Sequence, residues 1–134
     1  MRVEGGCHCG AVAYEAEVDP ASVGICHCTD CQQLSGSPYR VTLPTPTQSF
    51  RLLRGTLKTY IKTADSGTKR AQTFCPECGA PIYAANPDNP PMVSLRWGSI
   101  HRRHELPPRR MIWCGSAASF AMNLSGLPGT DGQK

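Results

Sequence analysis

The chain has 134 residues, of which 40% are apolar and 18% are charged, and its formal net charge is +4. The length suits one domain with its own core, and the composition excludes a disordered tail and a membrane protein. Twelve prolines and 13 glycines without any repeat favour short strands joined by tight turns over a helical bundle. The first residues lack the pattern of a signal peptide, so we expect a cytoplasmic protein whose cysteines stay reduced unless they bind metal or react.

Alternation of apolar and polar residues predicts a half-buried strand over residues 11–18, with the even-numbered positions from Val12 to Val18 on one face. Further strands are predicted over residues 39–43, 48–53, 56–62, 69–75, 80–85 and 92–97. Gly55 and the Asp65-Ser66-Gly67 segment are predicted to form hairpin connections. The NPDNPP stretch at 86–91 is predicted to be a loop.

Helix signals are few. Thr29 or Asp30 could begin a short helix that ends at Gly36. A second candidate begins at Ser116 and covers AASFAM. The sequence therefore predicts a single domain over 1–134, with its core at about 4–131, that is mainly antiparallel β with zinc knuckles and one or two short helices.

The eight cysteines carry the strongest chemical signal. Seven of them form groups with the spacings C-x-C, C-x-C-x-x-C and C-x-x-C: Cys7 and Cys9; Cys26, Cys28 and Cys31; Cys75 and Cys78. A C-x-x-C turn places two sulfurs at a separation that suits one tetrahedral zinc ion. The glycines around the first pair, and Pro76 and Gly79 around the last, allow the backbone to curl around such a centre.

The simplest partition assigns two zinc ions to the chain. The first and last pairs (Cys7, Cys9, Cys75 and Cys78) would form a closed structural site. That site would pin a loop of about 70 residues and stabilise the fold by roughly 4 kcal/mol. The remaining triad of Cys26, Cys28 and Cys31 lacks a local fourth ligand. Three ligands and an open position are typical of a reactive zinc.

Other interpretations of the cysteines stay open. A disulfide framework would need an oxidising compartment, and the spacings match none of the common ferredoxin patterns. The triad could instead be a closed structural site, completed by His27, His101, His104 or Cys114. We expect His27 to point away from a metal held by its two neighbours, and Cys114 to be a small buried residue.

Four segments together, GGCHCGAVAYE, CHCTDCQQLSGSPY, TFCPECGAPIY and LPGTDG, resemble the glutathione-dependent formaldehyde-activating enzyme family, which includes the centromere protein V type of domain. The resemblance covers roughly residues 4 to 131. It implies an Mss4-like, β-rich fold and two zinc ions. Cys7, Cys9, Cys75 and Cys78 match the family's structural zinc ligands, and Cys26, Cys28 and Cys31 match the ligands of its catalytic zinc.

The same resemblance implies condensation of glutathione with formaldehyde, which is formally a carbon–sulfur lyase reaction. Metal coordination would promote ionisation of the substrate thiol, whose sulfur then attacks the aldehyde carbon. Because glutathione carries two carboxylates, a basic rim is expected. The candidates are Arg102, Arg103, Arg109 and Arg110, and less so Arg96; their alternative role is a solvated charged loop.

Two further groups of residues are candidates near the triad. Ser35, Gly36 and Ser37 could present backbone N–H groups to a ligand or could only end the short helix. His101 or His104 could transfer a proton near neutral pH, or could be ordinary surface residues.

A different functional class is a non-catalytic zinc module that binds a protein or nucleic acid. The arginine cluster would then contact phosphates. The modest net charge and the few aromatic residues among the basic ones disfavour nucleic acid. The expected partner is therefore a small-molecule thiol such as glutathione, with no membrane partner; the motifs make no statement about oligomeric state.

Overall fold

The computed structural model describes residues 1–133, which form a mainly β structure with one α-helix, as the sequence predicts. The helix is α1 (Thr29–Ser35). The strands are β1 (Arg2–Gly6), β2 (Ala13–Glu17), β3 (Gly24–Cys26), β4 (Arg40–Pro46), β5 (Arg51–Arg54), β6 (Lys58–Thr63), β7 (Lys69–Phe74), β8 (Pro81–Ala85), β9 (Met92–Arg96) and β10 (Arg110–Ile112). The helix and strands predicted from the sequence are confirmed to within a few residues, whereas β1, β3 and β10 were not predicted.

The strands form two sheets. One has three strands in the order β1-β2-β5, and the other has seven in the order β10-β3-β4-β9-β8-β7-β6. Neighbouring strands are antiparallel, with one exception: β10 runs parallel to β3. Within the described residues, no helix is long and apolar enough to cross a membrane.

The hydrophobic core lies between the two sheets. The even-numbered residues from Val12 to Val18 are buried, as the alternation predicts, and they pack in one cluster with Leu43, Val93 and Leu95 of the larger sheet. Burial of these side chains on both inner faces holds the sheets together. The seven-stranded sheet therefore turns one face toward the core and leaves the other for α1.

The second face of the larger sheet is polar. Directly opposite residues of an antiparallel pair lie on the same face, and so do residues two apart on one strand. Cys26 is opposite Arg40, Thr42 is opposite Arg96, and the register continues through Ser94 and Ala84 to Gln72. Cysteine, arginine and glutamine side chains thus share one surface across five strands.

Helix α1 lies over this polar face. Asp30 in its first turn forms an ion pair with Lys62 of β6, with 2.7 Å between Nζ and Oδ2. Gly36 ends the helix in the left-handed conformation, with φ of 65°. The helix begins at the three-cysteine motif and ends at Ser35. The cysteine motif and the C-terminal end of the helix therefore both lie close to the polar face of the larger sheet.

Three predictions about connections and the C-terminal part need correction. Gly55 does not join a hairpin, because β5 and β6 belong to different sheets. Ser116 ends a short 3-10 turn and begins no α-helix, since the segment that follows has few buried side chains to pack. Cys114 is exposed and not buried. The Asp65-Ser66-Gly67 turn does connect the β6–β7 hairpin, as predicted.

Candidate functional site

Two cysteine pairs that are distant from each other in sequence lie close together in the fold. The sulfur atoms of Cys7, Cys9, Cys75 and Cys78 all lie within 4.8 Å of one another. The Sγ–Sγ distance is 3.6 Å between Cys7 and Cys9 and 3.8 Å between Cys9 and Cys75. Sulfurs bound tetrahedrally at about 2.3 Å from zinc are about 3.8 Å apart. This cluster can therefore hold a metal ion, and its donors fit zinc.

Backbone N–H groups surround the sulfurs of this cluster. The N–H of Val12 donates to Cys7 Sγ at 3.2 Å, and the N–H of Glu77 donates to Cys75 Sγ at 3.4 Å. Hydrogen bonds from the N–H groups of Ala80 and Cys9 lower the pKa of Cys78 to about 6. These bonds stabilise thiolates, which is the form in which cysteine binds metal.

The second cluster is the triad predicted from the sequence. Cys26 ends β3, Cys28 precedes α1, and Cys31 lies in the first turn of the helix; their sulfurs lie within 4.8 Å of one another. The N–H of Cys31 donates to Cys28 Sγ at 3.2 Å, so Cys28 is also the N-cap of α1. Strand, cap and helix together fix three sulfurs at one point.

No fourth histidine, cysteine or carboxylate of residues 1–133 joins the triad. His27 lies between two of its members in sequence, but its buried ring packs edge-on against Tyr39, with the ring centroids 5.4 Å apart. The other candidates for completing the site, His101, His104 and Cys114, are exposed and outside the cluster. Among the described residues, the triad thus offers three sulfur ligands without a fourth histidine, cysteine or carboxylate.

The three thiols differ in acidity. Burial raises the pKa of Cys28, but hydrogen bonds from Cys31 and Cys26 and the nearby charge of Lys62 outweigh it, so this pKa is lowered overall. Burial and the two neighbouring thiols raise the pKa of Cys31 to about 12. Cys28 is therefore the more readily ionised of the two, at the point where a metal or substrate would bind.

A pocket of about 730 Å³ opens beside the C-terminal end of α1 and reaches the four-cysteine cluster. Its lining includes Ser35, Ser37, Tyr39, Arg40, Arg96, Trp97, His101 and Arg103, and it includes no aspartate or glutamate of the described chain. The two serines therefore line the pocket, while Gly36 between them ends the helix. The helix-ending role is therefore confirmed, and presentation of backbone N–H groups to a ligand stays a prediction.

The predicted basic rim is only partly at the pocket. Arg103 lines it and lies over the Trp97 ring, with its guanidinium carbon 5.8 Å from the ring centroid. Arg102 forms an ion pair with Glu105 at 2.6 Å on the surface. Arg109 and Arg110 are exposed and do not line the pocket.

Two buried arginines contribute more to the pocket than the predicted basic rim does. Arg96, the weakest candidate from the sequence, and Arg40, which was missed, both line the pocket and both contact Gln72. The available signal was a charged residue inside the predicted strands 39–43 and 92–97. The face of the sheet on which each of these charged residues lies could be assigned only once the strand register was known.

Comparison with known proteins identifies the family of the chain. The family model described as glutathione-dependent formaldehyde-activating enzyme matches residues 2–116. A Halomonas elongata protein, provisionally named as such an enzyme, is 28% identical over 116 residues, which are 83% of this chain and 73% of that protein. A crystal structure of a Rhodobacter sphaeroides protein has a similar fold, with a TM-score of 0.63 and 23% identity over 81% of this chain and 98% of that one. Because the family model spans most of its length, the chain belongs to the glutathione-dependent formaldehyde-activating enzyme family.

Proposed function

We propose that the protein is a zinc-dependent enzyme that joins a thiol such as glutathione to a small aldehyde such as formaldehyde. The observation that carries this proposal is the triad of Cys26, Cys28 and Cys31, which has three sulfurs in ligand geometry and no fourth ligand from the described chain. A closed four-cysteine cluster lies elsewhere in the same chain. The contrast supports a structural role for the closed cluster and a reactive role for the open one.

The family and the Halomonas elongata relative support the same reaction class. That relative is named for glutathione-dependent activation of formaldehyde, and we assign the corresponding carbon–sulfur lyase activity to this chain. We further assign two zinc ions per chain and a cytoplasmic location, where the cysteines outside a metal site stay reduced.

The reaction forms one carbon–sulfur bond. Zinc held by the triad would supply a Lewis acid that binds the incoming thiol and favours its ionised form. The sulfur attacks the aldehyde carbon, the carbon–oxygen π bond opens, and the proton released by the thiol ends on the former carbonyl oxygen. No oxidant or reductant is needed.

The chain's own residues prepare this step. Burial raises the pKa of Cys28, but hydrogen bonds from Cys31 and Cys26, with a smaller contribution from the charge of Lys62, lower it overall. The lowered pKa favours the thiolate set that retains a metal. Cys26 is buried and Cys31 is partly buried, which limits the access of water to these sulfurs. His101 lines the large pocket, as His8 also does, and we assign proton exchange with a bound substrate to His101, the candidate that the sequence predicts.

The test is zinc content per chain, followed by calorimetric titration with glutathione. We expect two zinc ions in the wild type, one in Cys28→Ala, and glutathione binding by the wild type alone. Cys114→Ala is the matched control, since Cys114 is exposed and outside both clusters. If Cys28→Ala keeps two zinc ions or binds glutathione like the wild type, the triad is not the reactive site.

A further inference from the structure

The polar face beneath α1 contains two buried arginines with no carboxylate partner. Arg40 is 7% exposed and Arg96 is 9% exposed. The acidic residues in the ion pairs of the described chain are Glu4, Glu15, Glu17, Asp30 and Glu105, and none of these pairs includes either arginine. A buried charge without a partner is costly, so an arrangement with two of them needs a reason.

The two guanidinium groups are held side by side by one acceptor. Gln72 Oε1 accepts from Arg40 Nη1 at 3.2 Å and from Arg96 Nη2 at 2.9 Å. Arg96 Nη1 also donates to Thr42 Oγ1 at 3.4 Å. Each guanidinium carries five N–H donors, so most of the donors of this pair have no acceptor in the described protein.

The free donors face open space. Arg40 and Arg96 line both the large pocket and a smaller one of about 240 Å³ that Leu34 of α1 also lines. Burial and the charge of Arg40 lower the pKa of Arg96 to about 9, while Cys31 and Cys26 raise it, which places Arg96 within electrostatic reach of the triad. The neighbouring Arg103 adds a third positive group to the pocket.

We propose that Arg40 and Arg96, positioned by Gln72, form a carboxylate-binding subsite that selects anionic thiols as substrates. This inference rests on the proposed function for the role of the triad. The thiol end of the substrate would bind at the triad while its carboxylate accepts hydrogen bonds from the arginine pair. Paired guanidiniums bind a carboxylate through charge-assisted hydrogen bonds, which are stronger in a buried pocket than in water.

The first experiment tests the subsite without any thiol. The melting temperature of the zinc-loaded protein is measured with propionate and with propionamide, which are similar in shape, but the amide is neutral and has an NH2 donor in place of one acceptor oxygen. We expect propionate to raise the melting temperature of the wild type, propionamide to have no effect, and the propionate effect to be lost in Arg96→Gln. Arg110→Gln is the control, because Arg110 is exposed and outside the pocket. Equal shifts with the two compounds, or a propionate shift that Arg96→Gln retains, would overturn the subsite.

The second experiment connects the subsite to the triad. Titration calorimetry compares 3-mercaptopropionate with 3-mercaptopropanamide. We expect the wild type to bind the carboxylate about 10-fold or more tightly than the amide, and Arg96→Gln to bind both equally. Arg96→Lys keeps the charge without the planar fork and should retain a partial preference.

Failure of the proposed function gives a different result. If Cys28→Ala leaves the binding of both thiols unchanged, the triad is not the thiol site, while the propionate result still decides the arginine subsite. Zinc content is measured for every variant, because the arginines could instead only balance the charge of the thiolates. Loss of the triad's zinc in Arg96→Gln, together with no propionate effect in the wild type, would establish that structural role and overturn the proposal.

Discussion

The sulfur of Cys28 accepts a hydrogen bond from the backbone N–H of Cys31 at 3.2 Å. One side chain therefore begins α1 and also belongs to the three-cysteine cluster. Any metal held there is connected directly to the first turn of the helix, and the helix in turn fixes the position of Cys31.

This double role predicts that two substitutions of Cys28 will separate metal binding from helix capping. Cys28→Ser and Cys28→Ala should each hold one zinc ion fewer than the wild type. Serine is a strong N-cap and alanine is not, so the serine variant should be more stable than the alanine variant by about 1 kcal/mol. Urea denaturation of the two variants measures the difference, and equal stabilities would show that the cap contributes little.

The two clusters should lose metal at different rates. Four thiolates enclose an ion, whereas three leave one side open to a competing ligand. We expect a chelator to remove about one zinc ion per chain quickly while the protein stays folded, and the second only with unfolding. Zinc release followed together with circular dichroism tests this expectation. Release of both ions in a single phase would contradict it.

Gly55 and Gly67 form a matched pair for testing a close backbone approach. Both have φ of 89°, so alanine is strained at either position. A Cβ at Gly67 meets no atom within 4 Å, whereas a Cβ at Gly55 would overlap the carbonyl oxygen of Ala11. Gly67→Ala should cost about 1 kcal/mol and Gly55→Ala about 1–3 kcal/mol more. Equal losses in urea denaturation would mean that the chain near Ala11 moves freely out of the way.

Tyr14 predicts an alkaline limit to stability. Its phenol is buried and hydrogen-bonded to Ser99 Oγ at 2.6 Å, and burial raises the pKa of Tyr14 from 10.0 to about 12. Because the folded-state pKa is raised, the stabilisation is complete below pH 10 and is lost as the pH rises from 10 to 12. The free energy of unfolding is expected to fall by up to about 3 kcal/mol over this range because of Tyr14.

The alkaline loss of stability in the wild type is compared with that of the Tyr14→Phe variant. This variant should lose about 1 kcal/mol at pH 7, where the hydrogen bond to Ser99 is missing. It should then lose less stability than the wild type between pH 10 and 12. Chemical denaturation at a series of pH values gives both slopes, and parallel slopes would exclude Tyr14 as the responsible group.

The sequence predicted the parts that depend on short-range patterns. Alternation placed Val12 to Val18 on a buried face, and Gly36 correctly ended the short helix. The spacing of the cysteines predicted which of them would meet. A C-x-C or C-x-x-C pair supplies only two of the four ligands of a tetrahedral zinc, so the first and last pairs were expected to combine. The short β3 and β10 were missed, since three residues carry too little periodicity to be recognised.

Local sequence determined the three-cysteine triad, the two cysteine pairs and the mainly β character of this protein, whereas the two pairs meet only in the tertiary structure. Only the tertiary structure decided what surrounds the triad. Strand register placed Arg40 and Arg96 on the same face as Cys26 and joined them through Gln72, whereas the exposed Arg109 and Arg110 were left away from the pocket. The physical reason is that a shift of one residue in register turns a side chain to the opposite face of a sheet. The pairing between distant strands is not written in the local pattern of any one of them.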